Sequence, residues 1–246
     1  MNYKLNSSVS IVPLGDRFLE FFKTNTHQSV RIAMHSPKIL DIVNSLDGHR
    51  TLEQLIQEHG VSTESLQRLL CFLEKNAILD HVEPHEDFEC YADFRRVIHF
   101  LADFSMSHAH LLEMWRNIRQ SKILLIGLGA VGSLVACNLV QSGVERLVLM
   151  DGDVVGMSNL HRQFGYTENQ LGRLKSDALE EKLHSYNPHV EIIKINKFLE
   201  ESTLYTLQYK VDLVINCADQ PNVDTTSLWV GKYCMDYAIP HIIGEG

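Results

Sequence analysis

The sequence predicts an α/β protein with a doubly wound, Rossmann-like, mostly parallel sheet, preceded by a small winged-helix-like α+β domain. From residue 122 onward, short apolar runs alternate with longer amphipathic segments, the order typical of a parallel sheet covered by helices on both faces. Residues 1–82 instead carry short strand-like runs and three short helical patterns. Residues 83–120 are predicted to form a linker and a helical segment that leads into the second domain. The second domain is therefore 121–246.

The start and stop residues of the first domain define its helices. Thr51 opens the second helix with Gln54 three residues later, which is a capping-box pattern. Gly60 follows the last apolar position and predicts the end of that helix. The other elements predicted here are strands within 11–22 and 30–34, helices from Ser36 and from Ser62, and a closing strand at 78–79.

The rest of the chain is predicted in the same way. The acidic stretch 81–90 contains Pro84 and indicates a linker, and 91–120 is helical in pattern. An apolar strand comes just before Gly246, so we expect the second domain to be incomplete at its C-terminus. Its predicted elements are strands at 123–126, 146–150, 191–195, 213–216 and 242–243, and helices at 131–141, 174–185 and 224–235.

Composition excludes several classes of protein. A net charge of −9 argues against a nucleic-acid binder, which would be basic. No apolar run reaches the roughly 18 residues of a membrane span, and the N-terminus lacks the pattern of a signal peptide. We therefore expect a cytoplasmic protein without a membrane partner. The five cysteines are scattered without a Cys-x-x-Cys pair, which predicts reduced thiols and no zinc site within this chain.

A glycine-rich turn follows the first strand of the second domain. Gly127, Gly129 and Gly132 form a G-x-G-x-x-G pattern between an apolar strand and a helix. This context predicts a phosphate site at the helix N-terminus, although a purely structural turn has the same composition. Asp151 ends the next strand, where a carboxylate can accept hydrogen bonds from ribose hydroxyls, and Asp153 follows two residues later.

The segment 151–163, DGDVVGMSNLHRQ, closely resembles the D-x-D-x-V-x-x-S-N-L-x-R-Q segment of the adenylating superfamily. That superfamily contains the ubiquitin-activating enzymes and the sulfur-carrier adenylyltransferases of the ThiF and MoeB type. Gly172-Arg-Leu-Lys175 and Asn216-Cys-Ala-Asp219 resemble two further motifs of the same superfamily. The resemblance spans about residues 91–246 and implies that the chain uses ATP and magnesium.

The resemblance also implies roles for individual side chains. Arg162 and Lys175 would contact the triphosphate, and Asn159 would orient a phosphate oxygen. Asp219 would hold the magnesium ion that bridges the phosphates. Such residues suit adenylation because charge builds on the phosphate oxygens and on the leaving group. The residue types alone also allow Arg162 to form a surface ion pair and Asp219 to cap the following turn.

Further roles concern the ribose and a second subunit. By the same resemblance, Asp151 of this chain would hold the ribose, and Asp153 would assist with the metal or with Arg162. An arginine near the start of the domain reaches into the partner subunit's ATP site, so the resemblance implies a homodimer. Arg95 and Arg96 are the two candidates for that arginine.

The first domain resembles the PqqD-like recognition elements of ribosomal-peptide tailoring enzymes. The resemblance rests on residues 42–55, IVNSLDGHRTLEQL, and on the helix that follows. Such elements bind a leader peptide as an added strand beside the hairpin, against the third helix. A winged-helix dimerisation or DNA-binding module has a similar pattern.

Together the two resemblances imply an enzyme of the peptide-modifying branch, with MccB-like and PaaA-like members. It would use ATP to activate a carboxyl or amide group of a ribosomally made precursor peptide during natural-product (antibiotic) biosynthesis. Three alternatives stay open: a non-catalytic leader-docking subunit for a separate cyclodehydratase, an activator of a ubiquitin-like sulfur carrier, and a nicotinamide oxidoreductase. The stretch after Asp219 lacks the arginine typical of sulfur-carrier activators, which weakens the second.

Overall fold

The computed structural model describes residues 2–24, 26–82, 93–105 and 108–244. They fall into two compact units, Met1–Arg116 and Asn117–Gly246. The boundary between the two units lies within the helix at residues 108–120. The domain boundaries at residues 82 and 120, which the sequence indicated, stay a prediction. The residues from 83 to 92, most of the predicted linker, lie outside the described residues.

The described residues of the first unit form five strands and four helices, and a fifth helix runs on into the second unit. Its elements are β1 (Asn2–Leu5), β2 (Val9–Leu14), β3 (Phe18–Lys23), β4 (Ser29–Ala33), α1 (Lys38–Asn44), α2 (Leu52–His59), α3 (Thr63–Lys75), β5 (Leu79–Val82), α4 (Arg95–Ala102) and α5 (His108–Gln120).

The strands of the first unit form two antiparallel sheets. β2, β3 and β4 form a three-stranded sheet, and β1 pairs with β5. Sequence patterns did not reveal β1, and β5 extends to Val82, so the start of the linker at 81 was wrong. Phe21 on β3 packs with Val43 of α1, Leu55 of α2 and Leu73 of α3, all fully buried in one core.

The capping box of α2 is confirmed. The Gln54 N–H donates to Thr51 Oγ1 at 3.4 Å, and the Thr51 N–H donates to Gln54 Oε1 at 2.8 Å. Gly60 ends the helix in the left-handed region, at φ = 57°, a conformation that glycine adopts without steric cost. The limits of this helix therefore follow from residues adjacent to it in sequence.

The second unit contains the predicted parallel sheet, so the fold class is confirmed. Its elements are β6 (Lys122–Ile126), α6 (Ala130–Gln141), β7 (Arg146–Met150), α7 (Lys175–Tyr186), β8 (Glu191–Ile195), α8 (Glu201–Tyr205), β9 (Leu213–Asn216), α9 (Val223–Tyr237) and β10 (His241–Ile243), with single 3-10 turns at Met157–Asn159 and Glu168–Gln170.

The five strands are parallel and lie in the order β10-β9-β6-β7-β8. Alternate residues of β6 face opposite cores: Leu125 packs with the residues of α6 and α7, and Leu124 with those of α9. The strand order reverses between β6 and β9. A crevice at the carboxyl ends of these two strands is where ligands bind in sheets of this topology.

None of the helices in the described ranges is long and apolar enough to cross a bilayer.

Candidate active site

Gly127 and Gly129 lie in the turn between β6 and α6, and Gly132 lies in the first turn of α6. Gly127 has φ = 81°, and a Cβ there would lie 2.7 Å from the backbone nitrogen of Ala218. A Cβ on Gly132 would lie 1.8 Å from the carbonyl oxygen of Gly127. Gly129 is the N-cap of α6 and provides no side-chain hydrogen bond to the helix. The first N–H groups of α6 are therefore left for a ligand, as in a phosphate site.

The middle residue of the turn is held at both ends of its backbone. The Leu128 N–H donates to Asp151 Oδ2 at 2.6 Å, and the Leu128 carbonyl oxygen accepts from the Tyr166 hydroxyl at 2.6 Å. Burial, with the nearby Asp151 charge, raises the pKa of Tyr166 well above its usual range, so the hydroxyl stays protonated and donates. The other Asp151 oxygen, Oδ1, accepts from the Asp153 N–H at 2.7 Å.

One cavity of about 200 Å³ lies against this turn, and its lining belongs entirely to the second unit. It brings together most of the residues that the sequence indicated, while Gly132 packs behind the turn. The predicted residues in its wall are Gly127, Gly129, Asp151, Asp153, Asn159, Arg162, Lys175 and Asp219.

Arg95 and Arg96 belong to the first unit. They are the first two residues of α4, and both are exposed. Neither is among the residues that line the cavity. A role for either arginine in a partner subunit's ATP site stays a prediction.

Asn159 and Arg162 lie on the loop between β7 and α7. Asn159 is buried, and its Oδ1 accepts from the Gly156 N–H at 2.8 Å. Arg162 is exposed and donates through Nη1 to the Ser158 carbonyl oxygen at 2.7 Å. Within the described ranges, no carboxylate forms an ion pair with Arg162. The surface ion pair considered for this side chain is thus not observed, and its charge is available to an anion.

Lys175 and Asp153 form an ion pair in the wall of the cavity. Lys175 Nζ donates to Asp153 Oδ2 at 2.6 Å; the lysine side chain is 6% exposed and the aspartate 47%. Partial burial opposes ionisation of Asp153, but hydrogen bonds from Lys175 and the Val154 N–H outweigh it and lower the pKa of the carboxyl. The resemblance implied that Asp153 assists with the metal or with Arg162; the contact observed is with Lys175.

We expect the Asp153→Asn variant to be less stable than the wild type at pH 7 by about 1 kcal/mol, since water screens the half-exposed carboxylate. The pKa of Asp153 is lower in the folded than in the unfolded chain, so its contribution exists above about pH 4 and is lost as pH falls through the folded pKa. Urea unfolding at pH 7, 5 and 3 should show the difference shrinking at pH 3. A difference that is constant with pH contradicts this.

Asp219 follows β9 and is exposed at the cavity. The cap of α9 is Asn222, whose Oδ1 accepts from the Thr225 N–H at 2.8 Å, so Asp219 does not cap this helix. The described residues contain no cluster of three or more His, Cys, Asp or Glu suited to a metal. Magnesium commonly takes one or two carboxylates together with phosphate oxygens and waters, and Asp219 is suited to such a mixed set.

Several cavity residues were not predicted as ligands. Phe198 and Leu199 follow β8, and Phe198 is 54% exposed. Their position at the carboxyl edge of the sheet was the available signal. Gln163 also lines the cavity. Cys217 is in the wall as well; burial raises the pKa of its thiol, which disfavours a nucleophilic thiolate.

The profile of the ThiF family matches residues 105–246, more than half of the chain. The chain belongs to the ThiF family. Among ThiF-like relatives, the molybdopterin-synthase adenylyltransferase of Escherichia coli is 34% identical over 102 residues, which cover 42% of this chain and 41% of that protein. The chain spans about half or less of the length of the curated relatives that it matches.

Solved structures extend the likeness of this ThiF-family chain to its first unit. Escherichia coli MccB has a TM-score of 0.80 at 19% identity, covering 99% of this chain and 69% of MccB. PaaA has a TM-score of 0.73 at 23% identity, covering 97% of this chain and 72% of PaaA. At these identities the comparison shows a shared fold. It does not address the resemblance of the first unit to PqqD-like elements.

Proposed function

We propose that this chain catalyses the ATP-dependent adenylation of a carboxyl group on a ribosomally made precursor peptide. One observation carries the proposal: the glycine turn, two cationic side chains and three carboxylates surround a single cavity. A nicotinamide oxidoreductase has no need of Arg162 and Lys175 at this place. Adenylation needs cations where charge develops on phosphate.

The proposed reaction forms a bond between a carboxylate oxygen of the peptide and the α-phosphorus of ATP. The bond from that phosphorus to the β-phosphate bridging oxygen breaks, and pyrophosphate leaves with the bonding electrons. Arg162, Lys175 and the N-terminus of α6 stabilise the negative charge on the phosphates. The Asn159 amide orients a phosphate oxygen, and Asp151 accepts from the ribose.

Magnesium is assigned to Asp219 in this proposal. Its carboxylate reaches the cavity and the neighbouring helix does not use it, because Asn222 caps α9. When bound, the ion would neutralise charge on the phosphates. Asp153 is held by Lys175 and lines the same cavity.

The first unit provides a surface for the peptide. β4 is an edge strand of the three-stranded sheet and, within the part of the chain that the structure describes, pairs with β3 alone. Met34 N–H donates to the Arg17 carbonyl and Lys23 N–H to the Gln28 carbonyl. Because hydrogen-bonded pairs alternate along an antiparallel ladder, the N–H groups of Arg31 and Ala33 face away from β3. They can pair with an added peptide strand.

We expect Ala33→Pro to weaken binding of the precursor peptide at least tenfold, because proline removes an outward N–H that an added strand would use. Ala33→Val keeps the N–H and suits a strand, so it should bind like the wild type. Calorimetric titration with a candidate precursor peptide measures both. Equal affinities for the two variants would exclude strand addition at β4.

The proposal includes a homodimer in which Arg95 or Arg96 completes the partner subunit's site. Both arginines are exposed at the start of α4, which supports such a role. A mixture of an Arg95→Ala, Arg96→Ala subunit with an Arg162→Ala subunit tests it. Partial activity restored in the mixed dimer would support completion of the site in trans.

A second candidate is activation of a small sulfur-carrier protein. The identity of 34% to molybdopterin-synthase adenylyltransferase favours it. The absence of the family's arginine after Asp219, in Gln220-Pro-Asn222-Val-Asp224, disfavours it. Binding of a carrier protein with a Gly-Gly terminus, with no binding of the precursor peptide, would establish this alternative.

The product of ATP turnover decides among these functions. The full-length protein is incubated with ATP, magnesium and the precursor peptide, and the released nucleotide is identified. AMP with pyrophosphate, dependent on the peptide, is the expected result. ADP would indicate phosphorylation of an amide or carboxyl group instead. Peptide binding without ATP turnover would indicate a docking subunit.

A further inference from the structure

Two buried polar side chains adjoin the segment that carries Asp219. Asn216 is the last residue of β9 and is 1% exposed, and Thr226 lies near the start of α9 and is 0% exposed. Neither side chain is among the residues that line the cavity. Burying polar groups is costly unless they are hydrogen-bonded, so the partners of these two side chains indicate what they do.

The two side chains hold both backbone polar groups of Ala218. The Ala218 N–H donates to Asn216 Oδ1 at 3.1 Å, and the Ala218 carbonyl oxygen accepts from Thr226 Oγ1 at 2.9 Å. Asn216 Nδ2 donates to the same Oγ1 at 3.3 Å and so links the two side chains. Thr226 Oγ1 also lies 3.0 Å from the Val223 carbonyl oxygen, so its single proton is shared between two carbonyl groups.

The direction of each hydrogen bond follows from the groups available. A backbone N–H can only donate, so the Asn216 atom that faces Ala218 is the oxygen, and the amide nitrogen faces Thr226. The threonine oxygen therefore accepts from this amide, and its proton is directed at a backbone carbonyl. The hydroxyl of Thr226 is thus the only group of that side chain that can hold the Ala218 carbonyl.

Asp219 depends on the Ala218 backbone for its position. Within the part of the chain that the structure describes, Asp219 forms no hydrogen bond or ion pair of its own. Ala218 and Asp219 both line the cavity. A Cβ on Gly127 would lie 2.7 Å from the Ala218 backbone nitrogen, so this backbone is also packed against the glycine turn. A shift of the Ala218 carbonyl would therefore move Asp219.

We propose that Asn216 and Thr226 are positioning residues, which fix the Asp219 carboxylate for magnesium-dependent nucleotide binding through the backbone of Ala218. The inference rests on the proposed use of ATP and on the assignment of magnesium to Asp219. Neither positioning side chain contacts the ligand. What the site requires at position 226 is therefore a hydroxyl, and a side chain that only has the shape of threonine should not replace it.

The test compares Thr226→Val, which has the same shape without the hydroxyl, with Thr226→Ser, which keeps the hydroxyl. Calorimetric titration with ATP is done once with magnesium and once with EDTA. We expect Thr226→Val to lower ATP affinity about tenfold in magnesium. In EDTA the loss should be less than about threefold, because Asp151 and Tyr166 hold the glycine turn independently. Thr226→Ser should bind like the wild type in both.

Thr206→Val is the matched control. The Thr206 hydroxyl donates to the Thr203 carbonyl oxygen at 2.8 Å, outside the cavity lining, so this variant loses the same kind of hydrogen bond and should keep wild-type ATP affinity. All titrations are made well below each variant's melting temperature. If Thr226→Val does not fold, Thr226→Ala removes the same hydroxyl without placing a methyl group against the carbonyl oxygens, and it should show the same magnesium-dependent loss.

The outcomes separate the inference from the proposed function. Equal losses in magnesium and in EDTA, wild-type affinity without the hydroxyl, or a serine variant no better than the valine variant would each overturn the positioning role and leave the proposed function standing. A wild-type protein that binds ATP equally well with and without magnesium would remove the magnesium assignment together with this inference. A wild-type protein that binds no ATP would overturn the proposed function as well.

Discussion

Replacing Arg162 by alanine should reduce peptide-dependent pyrophosphate release by about 100- to 1000-fold, the usual cost of removing one group that stabilises transition-state charge. Its guanidinium is exposed at the cavity, and no ion pair within the described ranges would be broken by the change. The melting temperature should therefore stay close to that of the wild type. Steady-state kinetics with ATP as the varied substrate measures the effect.

Arg173→Ala is the matched control for Arg162→Ala. Arg173 lies on the same connection between β7 and α7, is partly exposed, and donates to Glu181 Oε2 at 2.8 Å outside the cavity lining. It should retain near wild-type activity, because an exposed ion pair contributes little. If kcat and kcat/KM fall together in Arg162→Ala, the arginine acts mainly in the transition state. Unchanged turnover in Arg162→Ala would remove it from the proposed mechanism.

Gly132→Ala should destabilise the second unit by about 3 kcal/mol, at the upper end of the usual cost of overpacking. The added Cβ would lie 1.8 Å from the Gly127 carbonyl oxygen and 2.9 Å from the Gly127 carbonyl carbon. Both are backbone atoms, so relief requires α6 to move away from the turn. Urea unfolding at neutral pH measures the loss, and nucleotide binding should fall because the turn is displaced.

Gly231→Ala makes the same change in another helix of the second unit. The nearest atom to a Cβ there is His241 Nε2 at 3.9 Å, which is an ordinary contact. Alanine is the better helix former, so this variant should gain about 0.5–1 kcal/mol. We therefore expect Gly132→Ala to lower the free energy of unfolding and Gly231→Ala to raise it. Destabilisation by Gly231→Ala as large as that by Gly132→Ala would show that close packing at Gly132 is not the cause.

The features that the sequence predicted well depend on neighbouring residues. The capping box joins Thr51 to Gln54, only three residues later, and the strand-turn-helix around Gly127 is one continuous stretch of sequence. Parallel strands could be predicted because β6 and β7 are apolar runs separated by a helical pattern. The shared edge of those strands then indicated that residues following each strand would meet at one crevice.

Features that depend on distant contacts were missed. β1 pairs with β5 through Leu5 and Leu79, and no local pattern in its four residues indicates that partner. The pairing of Asp153 with Lys175 needs the path of the intervening loop, which sequence spacing does not give. Burial of Gln163 depends on the packing of its loop against α6, which local sequence patterns do not reveal.

The double anchoring of the Leu128 peptide has an entropic consequence. A glycine-rich turn would ordinarily sample many backbone conformations and lose that freedom when a phosphate binds. Here the Asp151 carboxylate and the Tyr166 hydroxyl hold the peptide group before any ligand arrives. Much of the conformational entropy of this turn is therefore lost during folding and not when the ligand binds. Because Asp151 also faces the proposed ribose position, sugar and phosphate recognition share one rigid support.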